Sequence, residues 1–506
     1  MAHLKPAAFS PTPLGVGMVY FPALDFLFEH CSNLLDVIEI EPQTLWFRSP
    51  GTTNAHRLDD RAFERVIRLP QHKLIHGVGL PLAASEKFES RQIPPWKQSI
   101  SRLNPPWISE HLAFMRIPNK GQGKTSHHSG FLLPPLQCRE TMDIAIARIA
   151  ELRKLSAVPV AFEIPPNYLR PQPGEIPDGD FFAQIATAAD CGIVLDIHNL
   201  WCNERNGRQK MQDVLESLPL DRIWEIHLAG GDSHHGYWLD AHSDLVPQPV
   251  MEFCEEWLPR LPNAGALIFE IMPVYVHAKK IPVDRIVTQL EKMKSLWHAR
   301  QKILPMTISR SQNPVHSMTW IPEHSHNVNA AAYQKVVRWE QSLGEMVNGR
   351  SVPIQDIHFP ALVDDPAVPV YRTLIESFRS GTLVEGLPLS YRLLALTLGE
   401  NATYSLMKEF WSGCWPEPFA YDEMLGFSTF LHQKMNDKKL SVNFLDNVLN
   451  YEIAVAQAQM SGQEQFVPFD CEPIALLEAL SRWELPASHT LGKFEVQVPA
   501  WNMQEP

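Results

Sequence analysis

Eight short apolar runs recur through the first 300 residues, and most of them run out into carboxylates or imidazoles. They cover residues 15–20, 37–41, 73–79, 107–112, 159–163, 192–196, 223–228 and 266–270. A continuous apolar, β-branched run of about four to eight residues is what a strand buried on both faces requires. Helical stretches fit between the runs. In residues 138–155, Met142, Ala145, Ile146 and Ile149 fall at i, i+3, i+4 and i+7, one face of a helix. Residues 181–189 and 250–258 are two further helical candidates. Strands alternating with helices in this way predict an α/β fold, a TIM (β/α)8 barrel. An open doubly wound sheet is the alternative, but no glycine-rich dinucleotide fingerprint follows any run.

The sixth run shows what the strand ends carry. In residues 191–199, CGIVLDIHN, the apolar stretch stops at Asp196, followed by Ile197, His198 and Asn199. An extended chain would place Asp196 and His198 on one face. A buried strand ending in polar groups needs compensation, because uncompensated burial costs several kcal/mol. A metal ion would supply it. So would a helix for which the Asp is the cap.

The other runs repeat the pattern. Glu39 and Glu41 close the second, His76 the third, Glu110 and His111 the fourth and Glu163 the fifth. Glu225 and His227 lie in the seventh, Asp240 and His242 in the loop after it, and Glu270 at the end of the eighth. In a barrel these side chains converge on one mouth. So many carboxylates and imidazoles in one place repel, or stay unpaired, without cations between them. Mixed His/Asp/Glu ligands suit divalent iron, manganese or zinc. They outnumber what one ion can use, so two or three ions are expected.

Composition excludes other classes. The net charge is −13 with no basic cluster, so no nucleic-acid footprint is expected. No apolar run reaches about 18 residues, so no membrane segment is expected and the chain reads as soluble and cytoplasmic. Seven scattered cysteines without CxxC fit reduced thiols. KGQGKT at 120–125 resembles part of a phosphate-binding loop, but Pro118 stands where the first glycine is required, so it reads as a surface loop. The doublets His127-His128 and His234-His235 read as loop residues, the second a candidate lid over the mouth. No HExxH is present.

Residues 301–330 are rich in Pro, Ser, Asn and His, as a linker is. Residues 331–506 read as a smaller, mostly helical α+β domain. Its helices are expected over about 329–346, 369–380, 388–398, 402–414, 421–434 and 443–460, with short strands at the end.

The motifs HGVGLPLAAS (76–85), WISEHLAF (107–114), FEIPPNYL (162–169), CGIVLDIHNLW (191–201), IHLAGG (226–231) and LDAHS (239–243) stand in one order and spacing. In that register residues 12–280 resemble the DUF692 family, the multinuclear non-heme iron-dependent oxidases that include the methanobactin biosynthesis enzyme. The resemblance implies a TIM barrel holding two or three iron ions, part ferrous and part ferric, with O2 as co-substrate. It implies oxidation of a residue, often Cys, in a ribosomally made precursor peptide. Carried over position by position, the metal ligands are His76, His111, Glu163, Asp196, His227, Asp240, His242 and Glu270. Where the family has Asn-Asn after the Asp of strand six, this chain has His198-Asn199, so both join the expected ligand set. Asp240 and His198 are the expected catalytic residues. Two further departures are Ile164 for an Asn and Gly231 for a His. The helical region, with LGENATYSLMKEFWSG (398–413) and LDNVLNYEIAVAQA (445–458), resembles the partner protein that accompanies these oxidases, here fused to the barrel, where it would help dock the precursor's leader. No separate partner protein is then required. The rival reading is a divalent-metal isomerase or endonuclease of the xylose-isomerase-like barrel type.

Overall fold

All eight expected strands form, and they close on themselves. The computed structural model describes residues 9–48, 56–119, 126–303, 330–351 and 358–500. The strands are β1 (Gly15–Val19), β2 (Val37–Ile40), β3 (His72–Gly77), β4 (Ile108–His111), β5 (Val160–Glu163), β6 (Gly192–Asp196), β7 (Ile223–Ala229) and β8 (Ala266–Glu270). Each pairs in parallel with its sequence neighbours, and β1 pairs with β8, Gly15 opposite Ala266. The open-sheet alternative is thereby removed. Strands apolar on both faces suit an open doubly wound sheet as well as a barrel, and the β1–β8 pairing is what closes this one.

The floor of the barrel is plugged by Trp107 and Trp224, packed with Val19, Val37, Leu74, Val194 and Ile268. Gly192 is the concession to that plug. A Cβ there would stand 2.1 Å from the Trp224 ring. The Trp107 indole N–H donates to Glu225 Oε2 at 2.9 Å, so the apolar floor ends in a polar layer beneath the mouth.

Helix α1 (Arg139–Ser156) matches its expected span within a residue, and α2 (Ile197–Arg205) begins directly after β6. Three antiparallel hairpins interrupt the alternation: Trp46–Arg48 with His56–Leu58, Phe114–Pro118 with Ser126–Leu133, and Asp232–His234 with Tyr237–Leu239. Four of these six strands are only three residues long, too short to stand out as runs in the sequence. The stretch 120–125 and residues 304–329 of the expected linker lie outside the described residues. Among the described residues, no helix is long and apolar enough to cross a membrane. All seven cysteines are unbonded.

Beyond residue 330 come α3 (Ala330–Val347) and α4 (Ala367–Gly386), then helices Pro388–Leu398, Glu400–Gly413, Ala420–Asn436 and Leu445–Ser461. A hairpin of Gln465–Cys471 and Leu491–Val498 encloses the short helix Pro473–Ser481. Two cores organise this region. From Leu383 onward the helices and hairpin share their own core, centred on residues such as Leu394, Leu431 and Leu449. By contrast, Val336, Trp339 and Leu343 of α3 and Tyr371 and Ile375 of α4 pack with barrel loop residues Ala84, Phe114, Leu133, Tyr168 and Leu239.

One ionisable group lies in that seam. Glu340 of α3 is fully buried and accepts from the Ser85 backbone N–H at 2.7 Å and from the Ser85 hydroxyl. Burial pushes its carboxyl up to about 8 from the usual 4.5, with Glu86 adding to the shift and the Ser85 donors and Arg148 opposing it. A carboxyl raised in the fold favours folding while it is protonated. Its contribution is whole below about pH 4.5 and is lost as pH rises through about 8. Denaturation midpoints from about pH 5 to about pH 9 should therefore fall more steeply in the native chain than in Glu340→Gln, which cannot ionise. Parallel curves would overturn this.

Candidate metal centre

The mouth is built from strand ends in register. His111 pairs with Glu163 across β4 and β5, Asp196 with His227 across β6 and β7, and Ala229 with Glu270 across β7 and β8. His76 Nδ1 is held by the Ser109 hydroxyl at 2.7 Å, and His111 Nδ1–H donates to the Gly77 carbonyl at 3.0 Å. Both Nε2 atoms therefore face inward, 3.4 Å apart, and Glu163 Oε2 lies 2.9 Å from one and 3.2 Å from the other. Orienting an imidazole through its far nitrogen is how proteins prepare a histidine ligand.

Four groups of potential ligands converge, the atoms of each within 4.8 Å of one another: His76, His111 and Glu163; Glu163, Asp196 and His227; Asp196, His242 and Glu270; and Glu39, Glu225 and His227. Glu163 belongs to the first two and Asp196 to the second and third. The three upper groups thus form a row joined by shared carboxylates. The fourth lies below, where His227 Nε2 is 3.2 Å from Glu39 Oε2 and its Nδ1 is 3.0 Å from Glu270 Oε1. Glu39 and Glu225 are fully buried. They are strand residues that the expected ligand set omitted. The signal for them is their place in an otherwise apolar strand.

The donor chemistry fits cations. Asp196 Oδ2, Asn199 Oδ1, both His227 nitrogens and His242 Nε2 are buried without an aligned hydrogen bond. Such orphans are costly unless something electropositive meets them. Without ions the mouth must take up protons instead. Burial and the charges of Asp240, Glu163 and Glu270 hold the Asp196 carboxyl well above its usual range. Burial opposes an imidazolium at His76, yet Glu163 outweighs it and pushes His76 up to about 10. Burial and Glu225 push Glu39 up to about 8. Cations would replace these protons.

The structure places two expected ligands, His198 and Asp240, outside the four groups. Asp196 caps α2, accepting the Asn199 N–H at 2.7 Å, so the chain turns helical at Ile197 and the expected common face of Asp196 and His198 does not form. The two readings of the strand end were not exclusive: one Asp oxygen caps the helix and the other faces the mouth. His198 joins none of the four groups. Its Nε2 accepts the Trp238 indole N–H at 3.1 Å, which leaves Nδ1–H to donate to Asp240 Oδ1 at 2.9 Å. Both nitrogens are engaged, and the side chain is fully buried. Asn199 sends Nδ2–H to Glu163 Oε1 at 2.9 Å and turns Oδ1 to the mouth. Asp240 lies at the rim, 3.0 Å from His242 Nε2, which in turn is 3.1 Å from Glu270 Oε2. The partners of His198 could not be read from sequence, because Trp238 and Asp240 lie 40 and 42 residues away. The His234-His235 doublet forms the tip of the Asp232–Leu239 hairpin, outside every ligand group. His127 stacks on Trp415 at 4.7 Å, and His128 Nδ1 accepts the Gly130 N–H.

Residues 24–273 match the family described as the RiPP precursor modification enzyme MbnB/TglH/ChrH. The barrel belongs to this family. Curated relatives carry the name UPF0276 protein. One from Anaeromyxobacter sp. is 30% identical over 195 residues, 38% of this chain and 66% of its own length. One from Caulobacter vibrioides is 25% identical over 269 residues, 53% of this chain and 89% of its own. The first relatives are thus spanned over about two thirds of their length or less. Among solved structures, an L-ribulose 3-epimerase aligns over 59% of this chain and 99% of its own, at 13% identity and a TM-score of 0.36, which adds nothing to the barrel already traced.

Against the pattern expected of the family, two departures adjoin. A Cβ at Gly231 would stand 3.0 Å from His198 Cε1 and 2.0 Å from the Leu239 carbonyl. The imidazole at 198 occupies the space next to the position where a His was expected at 231.

Proposed function

We propose that this chain uses iron and O2 to oxidise a residue, often Cys by the family resemblance, in a ribosomally made precursor peptide. The observation that carries the reading is the row of three ligand groups joined through Glu163 and Asp196 at the mouth of a barrel of this family. Shared carboxylates suit two or three ions held close together. Iron bound there would supply redox chemistry toward O2 and the peptide, which amino-acid side chains cannot.

The chain's own residues supply the rest. His76, His111, Glu163, Asp196, Asn199, His227, His242 and Glu270 hold the ions, with Asp240 at the rim. Glu39 and Glu225 steady His227 from below. His111, Asp240 and His242 retain 13%, 11% and 26% exposure, so the peptide enters at that side. There Asp240 can meet the peptide, its carboxylate held ionised against the cost of burial by His242 and His198. His198, sealed behind it, acts through Asp240. Residues 331–506 form the docking region for the precursor, joined through 301–330, so that no separate partner protein is needed. Fusion keeps the two at a high effective concentration.

The test is elemental analysis of anaerobically purified protein with Mössbauer spectra of an iron-57 sample. Two or more irons per chain, part ferrous and part ferric, are expected. Zinc or manganese alone, with no iron uptake on reconstitution, would sink the proposal in favour of a divalent-metal isomerase or endonuclease.

A further inference from the structure

Tyr168 stands where three parts of the molecule meet. It follows Glu163 in the loop leaving β5 and is 2% exposed. On one side its backbone N–H donates to the hydroxyl of Tyr371 in α4 at 3.2 Å, and the two rings lie 5.2 Å apart. On the other side its own hydroxyl accepts the backbone N–H of Asp240 at 2.9 Å. A second bond ties the same loop to the same region: the Arg170 N–H donates to Asp365 Oδ2 at 3.0 Å.

The segment that Tyr168 holds is a strained one. His242, two residues after Asp240, has φ of 48°, the left-handed region. A residue with a side chain keeps that conformation only where its surroundings impose it. The bonds that impose it here are few. The His242 carbonyl accepts the Met272 N–H at 2.9 Å, Ser243 N–H reaches the Gly230 carbonyl at 3.0 Å, and Tyr168 fixes Asp240. From this segment the Asp240 and His242 side chains meet one another, and His242 also reaches Glu270.

We propose that Tyr168 is a positioning residue that couples helix α4 of the C-terminal region to the Asp240–His242 end of the metal centre. The path is Tyr371 hydroxyl, Tyr168 backbone and ring, Tyr168 hydroxyl, Asp240 backbone. Tyr371 touches no ligand, yet it sets where the Tyr168 hydroxyl stands. The C-terminal helices therefore shape the site as well as binding whatever docks on them. The part concerning ions rests on the metal reading above; the coupling of α4 to the Asp240 segment does not.

The experiment uses the full-length chain with Tyr168→Phe and Tyr371→Phe, each of which removes one hydroxyl and keeps the ring. In metal-stripped protein, hydrogen exchange is read on the peptide containing residues 240–242. About tenfold faster exchange is expected for Tyr168→Phe, and a smaller but measurable rise for Tyr371→Phe, with the β6 peptide unchanged. Cobalt(II) titration of the same proteins should show one ion bound about 10–100-fold more weakly, with altered visible bands, and the others as in the native chain. Native exchange and native cobalt spectra, with only a lower melting temperature, would overturn the coupling. If the native chain binds no cobalt, the metal reading falls, and the exchange measurement still decides the coupling.

Discussion

A Glu163→Gln variant loses at least one metal ion per chain and more than about 100-fold in peptide modification, beyond what loss of an outer-shell partner costs. The reason is its double membership. Glu163 belongs both to the group with His76 and His111 and to the group with Asp196 and His227. Its Oε2 faces the two inward nitrogens, and its Oε1 holds Asn199. Glutamine keeps the volume but removes the charge that offsets two cations, and offers one oxygen where two are used. The fold should survive, but the metal-free variant should melt lower than the metal-free native chain, because against the cost of burial His111 and His76 hold the Glu163 carboxyl below its usual range, and the variant removes that charge. Metal content by elemental analysis and mass shifts of the precursor check the prediction. Native metal content with native turnover would sink the bridging role.

Trp339→Ala should cost about 3–5 kcal/mol of stability, the range for truncating a large buried aromatic. Trp339 of α3 is 1% exposed, donates its indole N–H to the Pro134 carbonyl at 3.1 Å, and packs edge-on against Phe359 at 5.1 Å. It belongs to the core shared by α3, α4 and the barrel loops, not to the separate core that begins at Leu383. The loss should therefore appear in the transition of the barrel and its docked helices, while the helices from Pro388 onward unfold as in the native chain. Denaturant unfolding followed at both places checks this, with Trp339→Phe recovering most of the loss. A single unchanged transition would show that α3 does not bind the barrel through this residue.

Much of the molecule was legible in advance, for an identifiable reason. The eight barrel strands are apolar on both faces, so each shows as an unbroken run whatever it pairs with. The strand-end histidines and carboxylates were visible for the converse reason: a charged group that ends a buried run has few alternatives to a site. The hairpins were not legible, because four of their six strands are only three residues long and, like the largely exposed Asp232–His234, carry no such contrast. The fate of His198 was not legible either. An extended chain puts it beside Asp196 and a helical one puts it behind. The helix won because Asp196 caps it.

The sequence by itself determined the number and order of the barrel strands, the mouth they share, and the excess of ligands over what a single ion can use. These follow from local periodicity and from the cost of burying charge, both of which act on neighbours along the chain. Tertiary structure alone decided which candidate ligands stand together, that Glu39 and Glu225 lie beneath His227, that Trp238 and Asp240 occupy both nitrogens of His198, and that Tyr371 reaches Asp240 through Tyr168. The contacts of His198, Tyr168 and Tyr371 join residues 40 to 203 positions apart. A hydrogen bond depends on a few tenths of an ångström and an angle, and no local pattern in the chain carries that information.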